Sequence, residues 1–301
     1  MVEKVRPAAS RTRTKPRTIS RTTKRSIAIV GAGNLGTALA VSLDAAGYRV
    51  SEVVSRSSSR RNAQRLARKT GGRAVIIGQS PIQSRVVWIC VPDRAIRACA
   101  AALAPSGGWN GRIVFHSSGA LGRRELRSLQ RRGASVASVH PLMTFVAGVV
   151  PRLTGVPFAV EGDLAALRIA RQIVRDLGGQ PFDIKSQHKA AYHAWGAFAS
   201  PLLLSLWVAA EQVAGLAGVP KAEARRRMLP IIRQTLANYE QRGPDKAFSG
   251  PIIRGDAGTL VKHLQVLRKV PEVRAVYLAL ARSALRNLPT KNKKQLSKVL
   301  G

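Results

Sequence analysis

From residue 26 the chain repeats one pattern, a short and almost wholly apolar run followed by a segment whose apolar positions recur every three or four residues. SIAIVG, YRVSEVV, RAVII, RVVWICVP, RIVFHSS and ASVASVHP read as strands. Asn34 to Gly47, Ser57 to Lys69, Asp93 to Leu103 and Leu121 to Arg131 read as the helices between them. VPFAVEG, a helix from Asp163 to Leu177 and QPFDI continue the series. Apolar strands with no polar alternation, separated by helices, predict an α/β, doubly wound parallel sheet of the Rossmann type, buried on both faces.

After Lys185 the strand pattern stops. Helical periodicity takes over at Ser186 to Leu216, Lys221 to Gln241, Gly255 to Arg268 and Pro271 to Asn287, predicting an all-α second domain. The expected organisation is a basic tail over 1–25, a dinucleotide-binding domain over 26–184, a helical substrate and dimerisation domain over 185–289, and a second basic tail over 290–301.

The stretch from Ala190 to Ala210 contains no charged residue and is long enough for a bilayer. A membrane role is not expected, because His193 and Pro201 would lie in hydrocarbon and no topology signals flank the run. Burial between domains or against a second copy is expected instead. At helical spacing Lys189, His193, Gly196 and Ser200 form one polar or small stripe on that helix.

Composition alters this picture in one respect. The chain has 301 residues with 50 Lys and Arg against 15 Asp and Glu, a formal charge of +35, so anionic partners come first. The N-terminal segment has nine basic residues, one Glu and few large apolar side chains, which predicts a disordered arm. Nucleic acid is expected, if at all, only through the two tails. Two cysteines, Cys90 and Cys99, and no secretory signal argue for a reducing cytoplasm and against a disulfide or metal scaffold.

The candidate chemistry lies at strand ends. GAGNLG follows the first strand and opens the first helix: Gly31 permits the turn, Gly33 admits a pyrophosphate, Gly36 lets helix approach strand, and the amides of Asn34 and Leu35 face the phosphates. The second strand ends in Ser55, Arg56 and Ser57 without the acid that would hold a ribose 2′-hydroxyl, which points to NADP(H). Glu52 lies too early in that strand to serve. Val91 and Pro92 would line the nicotinamide side, with Asp93 capping the next helix. His116, Ser117, Ser118 and Gly119, then His140, are candidate substrate contacts. Arg254 could hold a substrate carboxylate, or brace its turn by pairing with Asp256.

GAGNLG, VPD, HSSGALG, HPLMTF, the Lys189/His193 helix and GPIIRGD together resemble the Rossmann-like oxidoreductases with a helical C-terminal domain of unknown function. These are related to pyrroline-5-carboxylate reductase and to the β-hydroxyacid and 6-phosphogluconate dehydrogenase-like group. The resemblance implies that Lys189 is the proton donor, that His193 stands where those relatives carry an orienting Asn, and that Ser118 and Gly119 match a Ser-Gly substrate element. It also implies a homodimer formed through the helical domain. The expected reaction is NADPH-dependent reduction of a C=O or C=N bond in a small carboxylate, a 2-keto acid such as ketopantoate among them. The alternatives are an imino acid reductase and a non-catalytic NADP-binding sensor or scaffold.

Overall fold

A computed structural model describes residues 25–301. The expected N-terminal arm, up to residue 24, lies outside the described residues. The first unit runs β1 (Ser26–Val30), α1 (Asn34–Ala45), β2 (Arg49–Ser55), α2 (Arg60–Thr70), β3 (Arg73–Ile76), β4 (Val86–Ile89), α3 (Asp93–Leu103), β5 (Ile113–His116), α4 (Arg127–Gln130), β6 (Ser135–Pro141), β7 (Pro157–Gly162), α5 (Leu164–Asp176) and β8 (Gln180–Asp183). One eight-stranded sheet has the order β3-β2-β1-β4-β5-β6-β7-β8, so the chain winds outward from β1 in one direction and then the other.

Period-two alternation divides the core between the two faces. Ile27, Ile29, Val86, Trp88, Phe115 and Ala137 enter one cluster with residues of α1, α2 and α5. Ala28, Val30, Val87, Ile89, Val114 and Val136 enter the other with residues of α3 and α4. Every strand pair is parallel except β6 and β7. The expectation of a wholly parallel sheet is corrected there, because the 142–156 connection contains no crossover helix and β7 returns beside the strand it left. The helix expected over Leu121 to Arg131 is also shorter, a 3₁₀ turn (Arg123–Leu126) leading into the single turn of α4.

The helical region comprises α6 (Lys189–Ala199), α7 (Pro201–Leu216), α8 (Lys221–Ala247), α9 (Pro251–Arg254), α10 (Ala257–Val266), α11 (Pro271–Asn287) and α12 (Lys293–Leu300). Contacts divide the chain between Ala194 and Trp195, inside α6. The first turn of α6 stays with the sheet because Lys189 and Tyr192 are bonded to β6 residues and Lys189 also to Ser118, just past β5.

Three expectations for this region are corrected. The continuous helix over 186–216 breaks at Ser200, which precedes Pro201 and leaves the helical basin at φ −132° and ψ −78°. The apolar helix α7 is not buried: Leu202, Leu203, Leu204 and Leu206 are exposed, and its one buried residue is Glu211, paired with Arg225 at 2.7 Å. The C-terminal basic tail is instead α12, whose Leu296 and Leu300 are buried with Leu260 and Leu264 of α10 and Ala281 of α11. Ser186–Leu216 is long and apolar enough to cross a membrane. With Lys189 fixed to the sheet, however, α7 alone spans about 24 Å, short of the ~30 Å hydrocarbon layer.

Candidate active site

The turn between β1 and α1 uses each glycine for a separate reason. Gly31 holds φ +105°, and a Cβ there would meet the Cys90 carbonyl oxygen at 2.7 Å. A Cβ on Gly36 would drive into the Gly31 carbonyl oxygen, so this position sets how closely α1 approaches the turn. Around Gly33 there is open space. Gly33 is also the N-cap of α1 and offers no side-chain cap, while its carbonyl takes the first intrahelical bond from Thr37 at 2.8 Å. The amides of Asn34, Leu35 and Gly36 therefore lack intrahelical acceptors at the positive end of the helix. The Asn34 side chain is turned aside, donating to the Phe145 carbonyl at 3.3 Å, so its contribution is its backbone.

Beside this turn a cavity of about 500 Å³ opens between the ends of β1, β2 and β4 and one flank of α3. Ser55 and Arg56 line it, as do Val91 and Pro92; Ser57 does not. Ser59 and Asn62, which the sequence reading missed, do. The Ser55 hydroxyl is buried and has no hydrogen-bond partner among the described residues. No carboxylate lines the cavity. Glu52, the nearest acid in sequence, is buried and accepts from Arg73 at 2.6 Å, from the Gln83 and Ser84 amides, and from the Ser84 hydroxyl. Burial opposes its ionisation, but these donors prevail and hold its pKa below the usual value. Cys90 and Cys99 complete the wall, and burial pushes their thiols up to about 12 and about 11, so both stay protonated.

At the carboxyl end of β5 the expected substrate contacts are mostly internal. His116 is fully buried: Nδ1 accepts from the Ser118 amide at 3.1 Å, and Nε2 then donates to the Gly122 carbonyl at 3.0 Å. Burial lowers its pKa to about 4, leaving the neutral ring as a brace for the turn. Ser117 accepts from Trp88 Nε1 at 2.7 Å. The Ser118 hydroxyl donates to Asp93 at 2.7 Å and accepts from the amides of Ala120 and Leu121. All three side chains thus have partners within the protein. Asp93 does not cap α3 but stands in its first turn, with Pro92 at the N-cap.

The turn so fixed presents its backbone to α6. Lys189 has no solvent exposure, and its Nζ donates to Ser138 Oγ at 2.8 Å and to the Ser118 carbonyl at 3.1 Å. Ser138 Oγ donates to the same carbonyl at 3.0 Å. No carboxylate bonds the amine, and burial lowers its pKa from 10.5 to about 8. One turn along, Tyr192 is buried with its hydroxyl 2.8 Å from His140 Nδ1, while His193 is exposed. Burial, then the charge of Lys189, lowers the His140 pKa to about 3. A Cβ on Gly119 would lie 2.8 Å from both His140 Nε2 and His193 Cδ2, so only glycine leaves those rings in place.

The structure thus brings together Gly119, His140, Lys189 and His193, with Ser138 and Tyr192 beside them. Both were open to detection. Ser138 precedes His140 by one strand period, and Tyr192 follows Lys189 by one helical turn. In the second unit Asp256 caps α10, with Oδ1 accepting from the Thr259 amide at 3.0 Å and Oδ2 from its hydroxyl at 2.6 Å. The bonds from Thr259 lower its pKa. Arg254 is exposed at the end of α9, and Gly255 takes the left-handed conformation between the two.

Residues 12–141 match the model of a Rossmann-like domain, and residues 156–284 match that of a domain of unknown function, DUF2520. No curated protein matches the chain. Among solved structures, BF3122 from Bacteroides fragilis, provisionally named an NADP oxidoreductase, superposes with a TM-score of 0.73 at 22% identity, covering 87% of this chain and 98% of its own. A reductive aminase from Aspergillus terreus, solved with NADPH and ethyl-5-oxohexanoate, gives 0.63 at 17% identity over 92% and 99% of the two chains. An imine reductase from Myxococcus stipitatus, solved with NADP+, gives 0.64 at 15% identity over 92% and 100%.

Proposed function

We propose that this chain, a Rossmann-like domain followed by a helical domain of unknown function, is an NADP-dependent oxidoreductase that reduces a C=O or C=N bond of a small carboxylate. The observation that carries this reading is the placement, along the carboxyl ends of one sheet, of a glycine turn open at Gly33 and of the buried amine of Lys189, which has no carboxylate hydrogen-bonded to it.

The residues present fit the cofactor. The free amides at the start of α1 would take the pyrophosphate, and the unpartnered Ser55 hydroxyl with the Arg56 guanidinium would take the phosphorylated ribose. When bound, NADPH supplies the hydride.

The protein's part is to place and charge the substrate. With its pKa near 8, Lys189 is mostly protonated at neutral pH yet releases its proton more readily than an exposed lysine would. Two of its three N–H donors are fixed by Ser118 and Ser138, leaving one for the substrate oxygen or nitrogen. His193, exposed one turn on, orients that atom. Neutral His140, whose Nδ1 faces the Tyr192 hydroxyl, offers Nε2–H beside Gly119. The buried positive charge, which Glu161 and Asp93 act on only through space, favours an anionic keto acid, ketopantoate among the candidates, over a cationic iminium. The imine reductase and reductive aminase among the structural relatives keep imino acids as the second reading.

NADPH oxidation across a panel of keto and imino acids tests the proposal, with Lys189→Met abolishing keto-acid turnover while NADPH still binds. Activity on imino acids that survives Lys189→Met would move the assignment to the second reading. Tight NADPH binding with no turnover of any substrate would make the protein a sensor or scaffold. For cofactor choice, Arg56→Gln should weaken NADPH binding about tenfold or more and leave NADH unchanged, since only the former loses a charge-assisted phosphate contact. Equal losses for both would remove the preference.

We further propose that the exposed apolar residues of α6 and α7 meet a second copy of the chain, as the sequence resemblance implies, with residues 26–184 serving the cofactor and 185–289 the substrate and the dimer.

A further inference from the structure

One concentration of unneutralised charge lies away from the cofactor cavity, on the far flank of α3. A second groove, of about 850 Å³, runs between α3 and the 3₁₀–α4 segment and is lined by Arg97, Arg123, Arg124, Arg127 and Arg131. The helix α3 separates the two sites: Ala95, Ala98, Cys99 and Ala102 face the cofactor cavity, while Arg97 and Ala101 lie on the other flank.

Pairing leaves much of this charge free. Arg97 is bonded to Glu125, and Arg123 to Glu161 and Asp163. Arg124, Arg127 and Arg131 are exposed and have no acidic partner among the described residues. Arg127 and Arg131 stand one α-helical turn apart, about 6 Å along α4, and Arg123 and Arg124 lie on the 3₁₀ turn before it, so guanidinium groups are spread along the groove rather than gathered at a point. Independently, the Ser128 hydroxyl, on the same lining, is buried without a hydrogen-bond partner. A buried polar atom left unpaired points to an absent acceptor.

We infer that this groove binds the phosphodiester backbone of a single-stranded nucleic acid, independently of the cofactor site and of the N-terminal basic segment. A row of guanidinium forks matches successive phosphates. The lining contains no aromatic side chain on which a base could stack, so recognition is of the backbone and not of sequence. Ala101 is its one apolar residue, which gives an acyl chain nothing to enter, and its concavity suits a strand better than a flat lipid surface. This inference goes beyond the expectation that nucleic acid would engage only the tails.

The test is fluorescence anisotropy of the full-length protein with labelled twenty-nucleotide oligo(dT) and oligo(U), titrated across a range of salt. The groove variant Arg124→Gln/Arg127→Gln/Arg131→Gln is compared with Arg226→Gln/Arg233→Gln/Arg242→Gln, which loses the same charge from α8. Both retain the N-terminal segment. The groove variant should bind at least tenfold more weakly at low salt, and its log–log salt slope should flatten by about 2, the value for three lost phosphate contacts on a single strand. The α8 variant should change less than twofold. NADPH binding should be the same in all three proteins, which also reports that the groove variant is folded. If it is not, the single Arg127→Gln change, with a slope flattened by about 0.7, takes its place. Equal weakening in both triple variants, an unchanged slope in the groove variant, or equally effective competition by poly-glutamate would overturn the inference. DNA and RNA differing in affinity would identify the strand without altering it.

Discussion

The rings of His140 and His193 stand 6.2 Å apart, centre to centre, and meet on either side of the space that a side chain at Gly119 would occupy. One ring comes from β6 and the other from α6, so this glycine registers the helix against the sheet. Gly119→Ala should displace both rings, reduce turnover by at least tenfold and cost about 1–3 kcal/mol of stability. Adding His193→Ala should recover part of the stability, since the His140 clash remains, and not the turnover. Calorimetry with steady-state kinetics on the two variants checks this, and a fully active Gly119→Ala protein would show that the rings play no part.

The buried amine of Lys189 makes a prediction about pH. Its pKa is about 8 when folded and near 10.5 when exposed, so below pH 8 the native state keeps a charge that burial opposes. Between pH 8 and 10.5 the unfolded chain binds the extra proton, and the native state gains stability as pH rises through that window. Urea midpoints at pH 7 and 9.5 should therefore show the wild type gaining on Lys189→Met. Turnover should move the opposite way, falling above pH 8 as the donor loses its proton. A rate that stays flat through pH 9 would exclude Lys189 as the acid.

Two glycines of the first turn should separate folding from cofactor binding. Gly33→Ala puts a methyl into open space, so the apo-protein should melt as the wild type does while NADPH affinity drops at least tenfold. Gly36→Ala forces its methyl onto the Gly31 carbonyl and should lower the melting temperature as well. Differential scanning fluorimetry with and without NADPH distinguishes the two. A Gly33→Ala protein that binds NADPH normally would remove the turn from the phosphate site.

The exposed apolar residues of α6 and α7 predict association. Phe198 is 71% exposed and Leu204 57%, on helices with few other means of burial. Sedimentation of the wild type should give a dimer, and Phe198→Glu/Leu204→Glu a monomer. A monomeric wild type would leave this surface to another partner.

The sheet was legible because strands buried on both faces have no polar alternation to obscure them, and the glycine turn because its three positions carry separate steric demands. Burial within the site was not. HSSGAL reads as a row of exposed ligands, whereas His116, Ser117 and Ser118 bond to one another's backbone, Trp88 and Asp93 and leave only Gly119 at the face. Such pairing depends on residues distant in sequence. The apolar run after Lys189 suggested burial because periodicity cannot tell a core helix from an exposed apolar one. The last helix was missed because Leu296 and Leu300 form a single i, i+4 pair among lysines, too short a pattern to stand out.

Glu52 tethers β3 and the segment leading into β4 through four donors and is committed to that task. Engineering this protein toward the unphosphorylated dinucleotide therefore cannot borrow its nearest carboxylate. A new acid would have to be installed at Ser55 or Arg56, where it would replace a vacant hydroxyl or reverse a charge without loosening the scaffold beneath.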